Sequence, residues 1–236
     1  MSDPRAVTPP AAESTARGTT RSAARPDATP CARCSRPGAV CVCDRVVPLS
    51  TERRVVILQH PQEQDFALGT AGLVAASLDK AKLVVGLSWA SLEHALGERR
   101  VDAKRWAVIF PQPKDKELPP PTDATHVLYD RHGGVVKAKQ LAGIIVLDGS
   151  WSQAKTLWWR NAWLLKLKRM ALYPTTPSIY GALRREPRTQ FVSTLESVAL
   201  ALRAMGEDAE VELGLLRLFR TLAQRGRDAK KAGLKL

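Results

Sequence analysis

The sequence predicts an α/β domain in which helices flank a mostly parallel sheet. Short apolar runs rich in β-branched residues alternate with helical stretches through the middle of the chain, a pattern typical of parallel strands joined by helices. Several of these runs stop at a proline or at a glycine-containing turn, as buried strands do. The chain has 236 residues and is 44% hydrophobic, so it can bury a sizeable core.

Five strands are expected, and the last of them is predicted to be central. In chain order they cover residues 55–59, 82–87, 105–111, 126–130 and 143–148. Helices are expected at residues 66–78, 88–96, 133–141, 151–170 and 190–202. The proline-rich stretch 111–123 is predicted to be a loop, because proline lacks the backbone N–H that regular structure uses.

The two ends of the chain differ in composition from this middle part. Residues 1–30 are rich in Ala, Pro, Thr and Arg and are predicted to be a disordered tail, because they cannot bury enough surface to offset the entropy of ordering. A cysteine segment follows at 31–45, then the α/β domain at 46–225, and a basic tail at 226–236. No secretory signal or membrane-length apolar stretch is found, so we expect a cytoplasmic protein.

All the cysteines of the chain lie in the cysteine segment, as Cys31, Cys34, Cys41 and Cys43. Their C-x2-C-x6-C-x-C spacing, around a Pro37-Gly38 turn, predicts tetrahedral coordination of Zn²⁺ by thiolates. A metal with four protein ligands would be structural rather than catalytic. Because a C-x-C pair is less usual than a second C-x2-C pair, a redox role stays open, as does a set of four unrelated thiols.

Charge suggests the kind of partner. A formal net charge of +13 and a pI of about 10.0 favour a polyanion, either nucleic acid or an anionic membrane surface. From residue 155 onward basic side chains persist, and aromatic rings among them are typical of surfaces that stack on bases and contact phosphates. An ordinary solvated face is the simpler alternative. The residues expected to contact RNA are Lys155, Trp159, Arg160, Arg184, Arg185 and Arg188.

Conspicuous residues stand where three predicted strands end: Gln59-His60-Pro61, Phe110-Pro111 and Asp148-Gly149-Ser150-Trp151. If the strands are parallel, these ends meet at one edge of the sheet, where open α/β folds bind their ligands. Each feature also has a simpler explanation, since prolines stop strands and Asp148 or Ser150 can cap the helix at Trp151. Their coincidence at one edge favours a site. Residues 193–196 (STLE) fit a helix capping box and, from the residues alone, are structural.

Five motifs, in order along residues 31 to 205, resemble those of the DTW-domain family of tRNA-uridine aminocarboxypropyltransferases. They are the two cysteine pairs, His60-Pro61-Gln62-Glu63, Leu68-Gly69-Thr70-Ala71, LDGSWSQAK at 147–155, and Arg184-x2-Pro187 followed by STLESVA at 193–199. The Asp-x-Thr/Ser-Trp motif of the family falls on Asp148, Ser150 and Trp151. Here serine takes the place of the commoner threonine, which keeps the hydroxyl group.

The resemblance implies transfer of the 3-amino-3-carboxypropyl group of S-adenosylmethionine to N3 of a tRNA uridine, at position 47 of the variable loop. The other product is 5′-methylthioadenosine. It also implies a SPOUT-like fold, in which the chain can be knotted. Because uridine N3 carries a proton, Asp148 is the candidate general base. Its alternative role is to anchor the amino group or ribose of the cofactor.

The same resemblance implies which residues form the site. Ser150 and Trp151 would shape the catalytic pocket around Asp148. The implied cofactor-binding residues are Leu58, His60, Pro61, Gly69, Thr70, Phe110, Pro111, Leu147, Gly149, Ser193, Thr194 and Glu196.

Two other functions remain open from the sequence. One is an RNA methyltransferase that uses the same cofactor but donates its methyl group. The other is a non-catalytic, zinc-containing RNA-binding protein, which the charge and the cysteines alone would support. In each case tRNA or another RNA is the expected partner, and neither a membrane nor an obligate protein partner is expected.

Overall fold

The computed structural model describes residues 29–110, 125–184 and 192–236. Within these ranges six strands form one sheet, ordered β2-β1-β5-β3-β6-β4. All neighbouring strands are parallel except β4 and β6, so the predicted mostly parallel α/β sheet is confirmed. The strands are β1 (Arg54–Gln59), β2 (Ala81–Val85), β3 (Trp106–Ile109), β4 (His126–Tyr129), β5 (Gly143–Asp148) and β6 (Lys168–Leu172).

Helices cover both faces of this sheet. They are α1 (Ala71–Ser77), α2 (Leu92–Leu96), α3 (Trp151–Arg160), α4 (Thr194–Met205) and α5 (Ala209–Lys231). Alternate residues of β1 point to opposite faces: Val55 and Ile57 pack with α1, α4 and α5, whereas Val56 and Leu58 pack with α2 and α3. The central strands are therefore buried on both sides, which explains their continuous apolar runs.

Several predicted residues lie outside the described ranges. They are Pro111, Arg185 and Arg188, the predicted loop 111–123, and residues 1–28 of the predicted tail. Among the described helices, none combines the length and the apolar character that a bilayer span requires.

The helix predicted at 133–141 is wrong. Asp130 Oδ1 accepts hydrogen bonds from the backbone N–H groups of His132 and Gly134, and Gly133 has a φ of +91°, so the chain turns sharply here. Val135 then forms an isolated bridge with Tyr129. Of the predicted helix only a single 3-10 turn, Ala138–Gln140, is present.

The helix predicted at 151–170 ends ten residues early, at Arg160. Asn161 leaves the helical conformation, and its fully buried side chain accepts from Trp89 N–H at 2.8 Å and donates to the carbonyls of Leu157 and Leu87. This amide ends α3 because its bonds hold α3 to the loop after β2. After a short 3-10 helix, Ala162–Lys166, the chain continues into β6, a strand that was not expected from the sequence.

Other boundaries also differ from prediction, and two of these differences bear on the site and on the domain limits. The helix expected from residue 66 begins only at Ala71, because residues 66–70 form a tight loop whose carbonyls bond elsewhere. Helix α5 continues to Lys231 with Gly226 and Ala229 buried, so these residues belong to a packed helix rather than to a separate tail.

Candidate active site

The three conspicuous strand ends lie side by side in the structure. Strand β5 lies between β1 and β3 and is parallel to both, and Gln59 is directly opposite Asp148 in the β1–β5 register. The backbone N–H of His60 donates to Asp148 O at 2.9 Å, which extends the pairing by one residue. Phe110 follows β3 at the same edge. The carboxyl ends of three neighbouring strands therefore share one edge of the sheet.

Asp148 is buried at this edge, with 8% of its surface exposed. Its Oδ2 accepts a 2.8 Å hydrogen bond from Gln59 Nε2, and its Oδ1 accepts one from the hydroxyl of Thr194. Each carboxylate oxygen has two acceptor positions, and within the described part of the chain one donor is found on each, which leaves a position for a further donor. Two neutral donors thus hold the carboxylate in a fixed orientation.

Gln59 is a site residue whose role was not expected from the sequence. It is a buried side chain, 6% exposed, and the one uncharged polar residue in the β1 segment RVVILQ. A polar residue that follows four apolar ones at a strand end is a signal for a site partner, because burying an amide costs free energy unless it is hydrogen-bonded.

The turn after Asp148 is a close-packed helix start. Ser150 is the N-cap of α3: its hydroxyl accepts from Gln153 N–H, and Gln153 Oε1 accepts from Ser150 N–H, which completes a capping box. A Cβ atom on Gly149 would lie 2.8 Å from Gln153 Cβ, so this position requires glycine. Gln153 Nε2 also donates to Gln62 Oε1 at 3.1 Å, which joins the turn to the loop after β1.

Stacked rings form one wall beside the turn. The Phe110 ring centroid lies 4.3 Å from that of buried Trp158 and 6.1 Å from that of Trp151, and the Phe110 plane is inclined by 16° to the first and by 19° to the second. Trp151 is 37% exposed, and the ammonium of Lys155 lies 5.3 Å from its ring centroid. Trp151 therefore presents a partly open aromatic face beside the strand ends.

The loop 66–70 and the start of α4 form the other wall. The buried hydroxyl of Thr70 accepts from Leu195 N–H at 3.2 Å, which joins the loop to the first turn of α4. Tyr180 donates its hydroxyl proton to Leu68 O at 2.7 Å. Burial raises the pKa of Tyr180 well above its usual range, so the hydroxyl stays protonated as a donor.

Ser193 and Glu196 complete the predicted capping box, so this prediction is confirmed. Glu196 also reaches beyond its own helix: it accepts from Ser178 Oγ at 2.7 Å and from Ile179 N–H at 2.8 Å. Buried and with three partners, this carboxylate holds the segment before Tyr180 against α4.

The remaining predicted site residues fall in different environments. Leu58 is fully buried in the core, Leu147 is partly buried beside it, and half-buried His60 accepts from Gln62 N–H through Nδ1. Pro61, Gly69 and Phe110 are each half-buried.

The predicted RNA contacts divide into two groups. Lys155, Trp159 and Arg160 are all exposed on α3, and Trp159 is 75% exposed. Trp151, Lys155 and Trp159 are spaced by four residues, so they follow one face of the helix outward from the strand ends. Arg184 lies apart from them, with its guanidinium 4.8 Å from the Phe66 ring and 3.4 Å from Glu63 Oε2.

The four cysteine sulfurs lie within 4.8 Å of one another. Cys34 Sγ and Cys41 Sγ are 3.7 Å apart, close to the separation of about 3.8 Å that tetrahedral ligands have when each Zn–S bond is about 2.3 Å. Backbone N–H groups, above all that of Arg33, lower the pKa of the Cys31 thiol to about 6, whereas burial raises the pKa of the Cys41 and Cys43 thiols. The donor set and its spacing fit Zn²⁺.

The protein is therefore of the α/β class. It has a mostly parallel sheet, a buried carboxylate at the end of a central strand, and a cysteine cluster that precedes the sheet in the chain. The particular family follows from comparison with known proteins. The DTW-domain model matches residues 28–226, so the chain belongs to the DTW-domain family.

Curated relatives carry the name tRNA-uridine aminocarboxypropyltransferase 2. The protein from Macaca fascicularis is 30% identical over 205 residues, and that from Mus musculus is 31% identical over 196 residues. Each match covers 81% of this chain and 61% of the relative, so the chain spans about three fifths of their length. The Drosophila melanogaster protein is 28% identical over 202 residues, covering 82% of this chain and 73% of the relative. No solved structure gives a significant match.

Proposed function

We propose that this protein transfers the 3-amino-3-carboxypropyl group of S-adenosylmethionine to N3 of a tRNA uridine. Family membership and the printed names of the relatives support this reaction. The observation that carries the proposal is Asp148, a buried carboxylate held by Gln59 and Thr194 at the ligand-binding edge of a parallel sheet.

The proposed reaction needs a proton acceptor for uridine N3 and a γ-carbon held in line with that nitrogen. Asp148 takes the proton from uridine N3, and the freed nitrogen pair attacks the γ-carbon of the methionyl chain. The bond between that carbon and the sulfonium sulfur breaks, and its electron pair stays on sulfur as neutral 5′-methylthioadenosine. Asp148 then returns its proton to solvent. The protein's main contribution is to place the γ-carbon, rather than the methyl group, against the nucleophile.

The walls of the edge suggest how the substrates are held. Trp151 offers its partly exposed ring to a flat heterocycle, either adenine or uracil. The loop 66–70 and the first turn of α4 face it from the other side of Asp148. The four cysteines would hold Zn²⁺ as a structural ion, which supplies local order rather than chemistry.

We place the tRNA along α3. Lys155 and Arg160 supply cations for phosphates, and exposed Trp159 supplies a stacking surface on the helix face that begins at Trp151. Arg184, Arg185 and Arg188 are proposed as further contacts from the segment before α4. A looped-out nucleotide suits such a surface, and the target uridine proposed from the family resemblance is position 47 of the variable loop. The knotted, SPOUT-like topology that the resemblance implies stays a prediction.

Incubation of purified protein with unmodified tRNA and S-adenosylmethionine, followed by nucleoside mass spectrometry, tests the proposal. We expect an aminocarboxypropyl adduct on uridine from the wild type and from the control Asp228→Asn, an exposed carboxylate on α5. Asp148→Asn should form almost none. A methyl adduct would instead establish an RNA methyltransferase. tRNA binding without any product in the folded, metal-loaded protein would establish a non-catalytic RNA-binding protein.

The same variant separates the two roles of Asp148. A general base is needed for turnover, so Asp148→Asn should bind S-adenosylmethionine with unchanged affinity while product formation falls. An anchor for the cofactor predicts the opposite, a large loss of affinity. Calorimetric titration of both proteins with S-adenosylmethionine distinguishes these outcomes.

A further inference from the structure

Three successive carbonyls of the loop 66–70 are held by side chains from distant parts of the chain. Arg36 donates through Nε to Ala67 O at 3.0 Å and through Nη2 to Gly69 O at 2.6 Å. Tyr180 donates to the carbonyl between them, Leu68 O, at 2.7 Å. Side-chain donors therefore occupy these three carbonyl oxygens, and the Arg36 guanidinium bonds two of them.

Arg36 belongs to the cysteine segment. It lies between the two cysteine pairs, and its own carbonyl accepts from Cys31 N–H at 2.7 Å. Ser35, just before it, has a φ of +57°, an uncommon backbone conformation for a non-glycine residue that places Arg36 at a sharp turn. The planar fork of arginine can then bond both loop carbonyls from a backbone position that the cysteines set.

The other end of the loop is linked to Asp148 through the first turn of α4. Gly69 N–H donates to Phe66 O at 2.8 Å, and an added Cβ on Gly69 would lie 3.0 Å from the same oxygen, so the turn is tight. The next residue, Thr70, accepts from Leu195 N–H. Thr194, the residue just before Leu195, donates to Asp148. Hydrogen bonds, linked through residues adjacent in the chain, therefore connect the cysteine segment to the edge that carries Asp148.

We propose that Arg36 is a positioning residue that transmits the order of the cysteine cluster to the loop 66–70 and so sets the affinity for S-adenosylmethionine. The inference rests on the proposed function, because it takes this loop to line the cofactor site. It gives the metal cluster an effect on cofactor binding in addition to its effect on stability. Arg36 itself is not proposed to touch a reacting atom.

Hydrogen exchange measures the loop without reference to any ligand. We compare wild type, Arg36→Ala and the control Arg45→Ala, an exposed arginine of the same segment that pairs with its neighbour Asp44. Zinc content is measured in each. We expect exchange in the segment 66–74 to quicken about tenfold in Arg36→Ala, because loss of a charged donor opens the loop locally. Arg45→Ala should match wild type. Unchanged exchange in Arg36→Ala overturns the proposal.

Calorimetric titration with S-adenosylmethionine gives the second readout. Arg36→Ala should bind about tenfold more weakly. Arg36→Lys keeps the charge but has one ammonium in place of a two-pronged fork, so its affinity should be intermediate. In activity assays, the KM for S-adenosylmethionine should rise more than kcat falls. Equal affinity in wild type and both variants overturns the proposal. If Arg36→Ala does not fold, Arg36→Lys serves for both measurements.

Chelation of the metal and the Arg36→Ala variant together form a thermodynamic cycle, analogous to a double-mutant cycle. Chelation should weaken cofactor binding in wild type and have little further effect in Arg36→Ala, because the route from the cluster to the loop is already broken. Fully additive losses would show separate routes and overturn the proposal. If wild type does not bind S-adenosylmethionine although Arg36→Ala loosens the loop, the proposed function fails while the coupling between cluster and loop stands.

Discussion

Gln59 and Asp148 face each other across two parallel strands, and the Gln59 amide donates to Asp148 Oδ2 at 2.8 Å. Thr194, from the first turn of α4, occupies a position on the other carboxylate oxygen. Both donors come from regular structure rather than from loops, so the carboxylate is oriented without any substrate. Such preorganisation suits a reaction that depends on the orientation of its substrates rather than on a covalent intermediate with the protein.

Replacing Gln59 by leucine should reduce turnover. The change removes a donor from Asp148, and the carboxylate then samples other orientations, so we expect kcat to fall about tenfold, the effect of losing one hydrogen bond to a charged group. Steady-state assays by nucleoside mass spectrometry measure this loss. The matched control is Gln64→Leu, an exposed glutamine that bonds Pro61 O. Equal activity in the Gln59 and Gln64 variants would show that the hydrogen bond from Gln59 to Asp148 has no part in the reaction.

Thr194 and Ser193 are adjacent, yet we expect their variants to differ. Thr194→Val keeps the shape but removes the donor to Asp148, so turnover should fall while the free energy of unfolding changes little. Ser193→Ala removes the cap of α4 and should lower stability by about 1 kcal/mol. Denaturant unfolding and activity assays on both variants test the division. A Thr194→Val protein with full activity would contradict it.

Trp159 is expected to matter for tRNA and not for folding. Because its side chain is 75% exposed, Trp159→Ala should leave the melting temperature unchanged. Loss of a stacking platform should weaken tRNA binding by about 1 kcal/mol or more.

Arg160→Ala should lower the slope of log affinity against log salt by about 0.9, the effect of one phosphate contact. Filter-binding titrations over a range of salt concentrations measure both effects. The control is Leu213→Ala, a 41% exposed residue on α5. Equal tRNA affinity in the Trp159 and Leu213 variants would exclude α3 as the tRNA surface.

The cysteines should act on stability and metal content together. Replacing Cys31 or Cys41 by serine removes one of four soft ligands, so bound zinc should fall and the melting temperature should drop. The cluster is joined to α5 through Arg225, which pairs with Asp44 at 2.8 Å, so its loss should also loosen that contact. Elemental analysis and thermal unfolding check this prediction. Variants with wild-type melting temperature and metal content would refute a structural zinc site.

The predictions that succeeded depend on local patterns. Apolar runs ending at His60-Pro61 and at Asp148 identified two inner strands. The capping box predicted at Ser193 is present at the start of α4, although the helix was expected from residue 190. Such signals depend on backbone preferences and on spacing along the chain, which the residues carry wherever they are placed. The cysteine spacing belongs to the same group, since its geometry closes within one short segment.

The errors have the opposite origin. The sequence pattern extends the helix from Trp151 past Arg160, but the Asn161 side chain bonds to residues about seventy positions earlier and the helix ends there. Strand β6 exists because β3 and β4 lie on either side of it. Tertiary contacts of this kind override local propensity and leave no pattern in the segment itself.

From its residues, this chain could be recognised as an α/β protein with a cysteine cluster and an acid at the end of a central strand. The partners of that acid emerged from the fold alone. Gln59 and Thr194 are 89 and 46 positions from Asp148, and Arg36 is more than 30 from the carbonyls it holds. Contacts between distant positions depend on strand order and helix packing, which the whole core sets together and no single segment encodes.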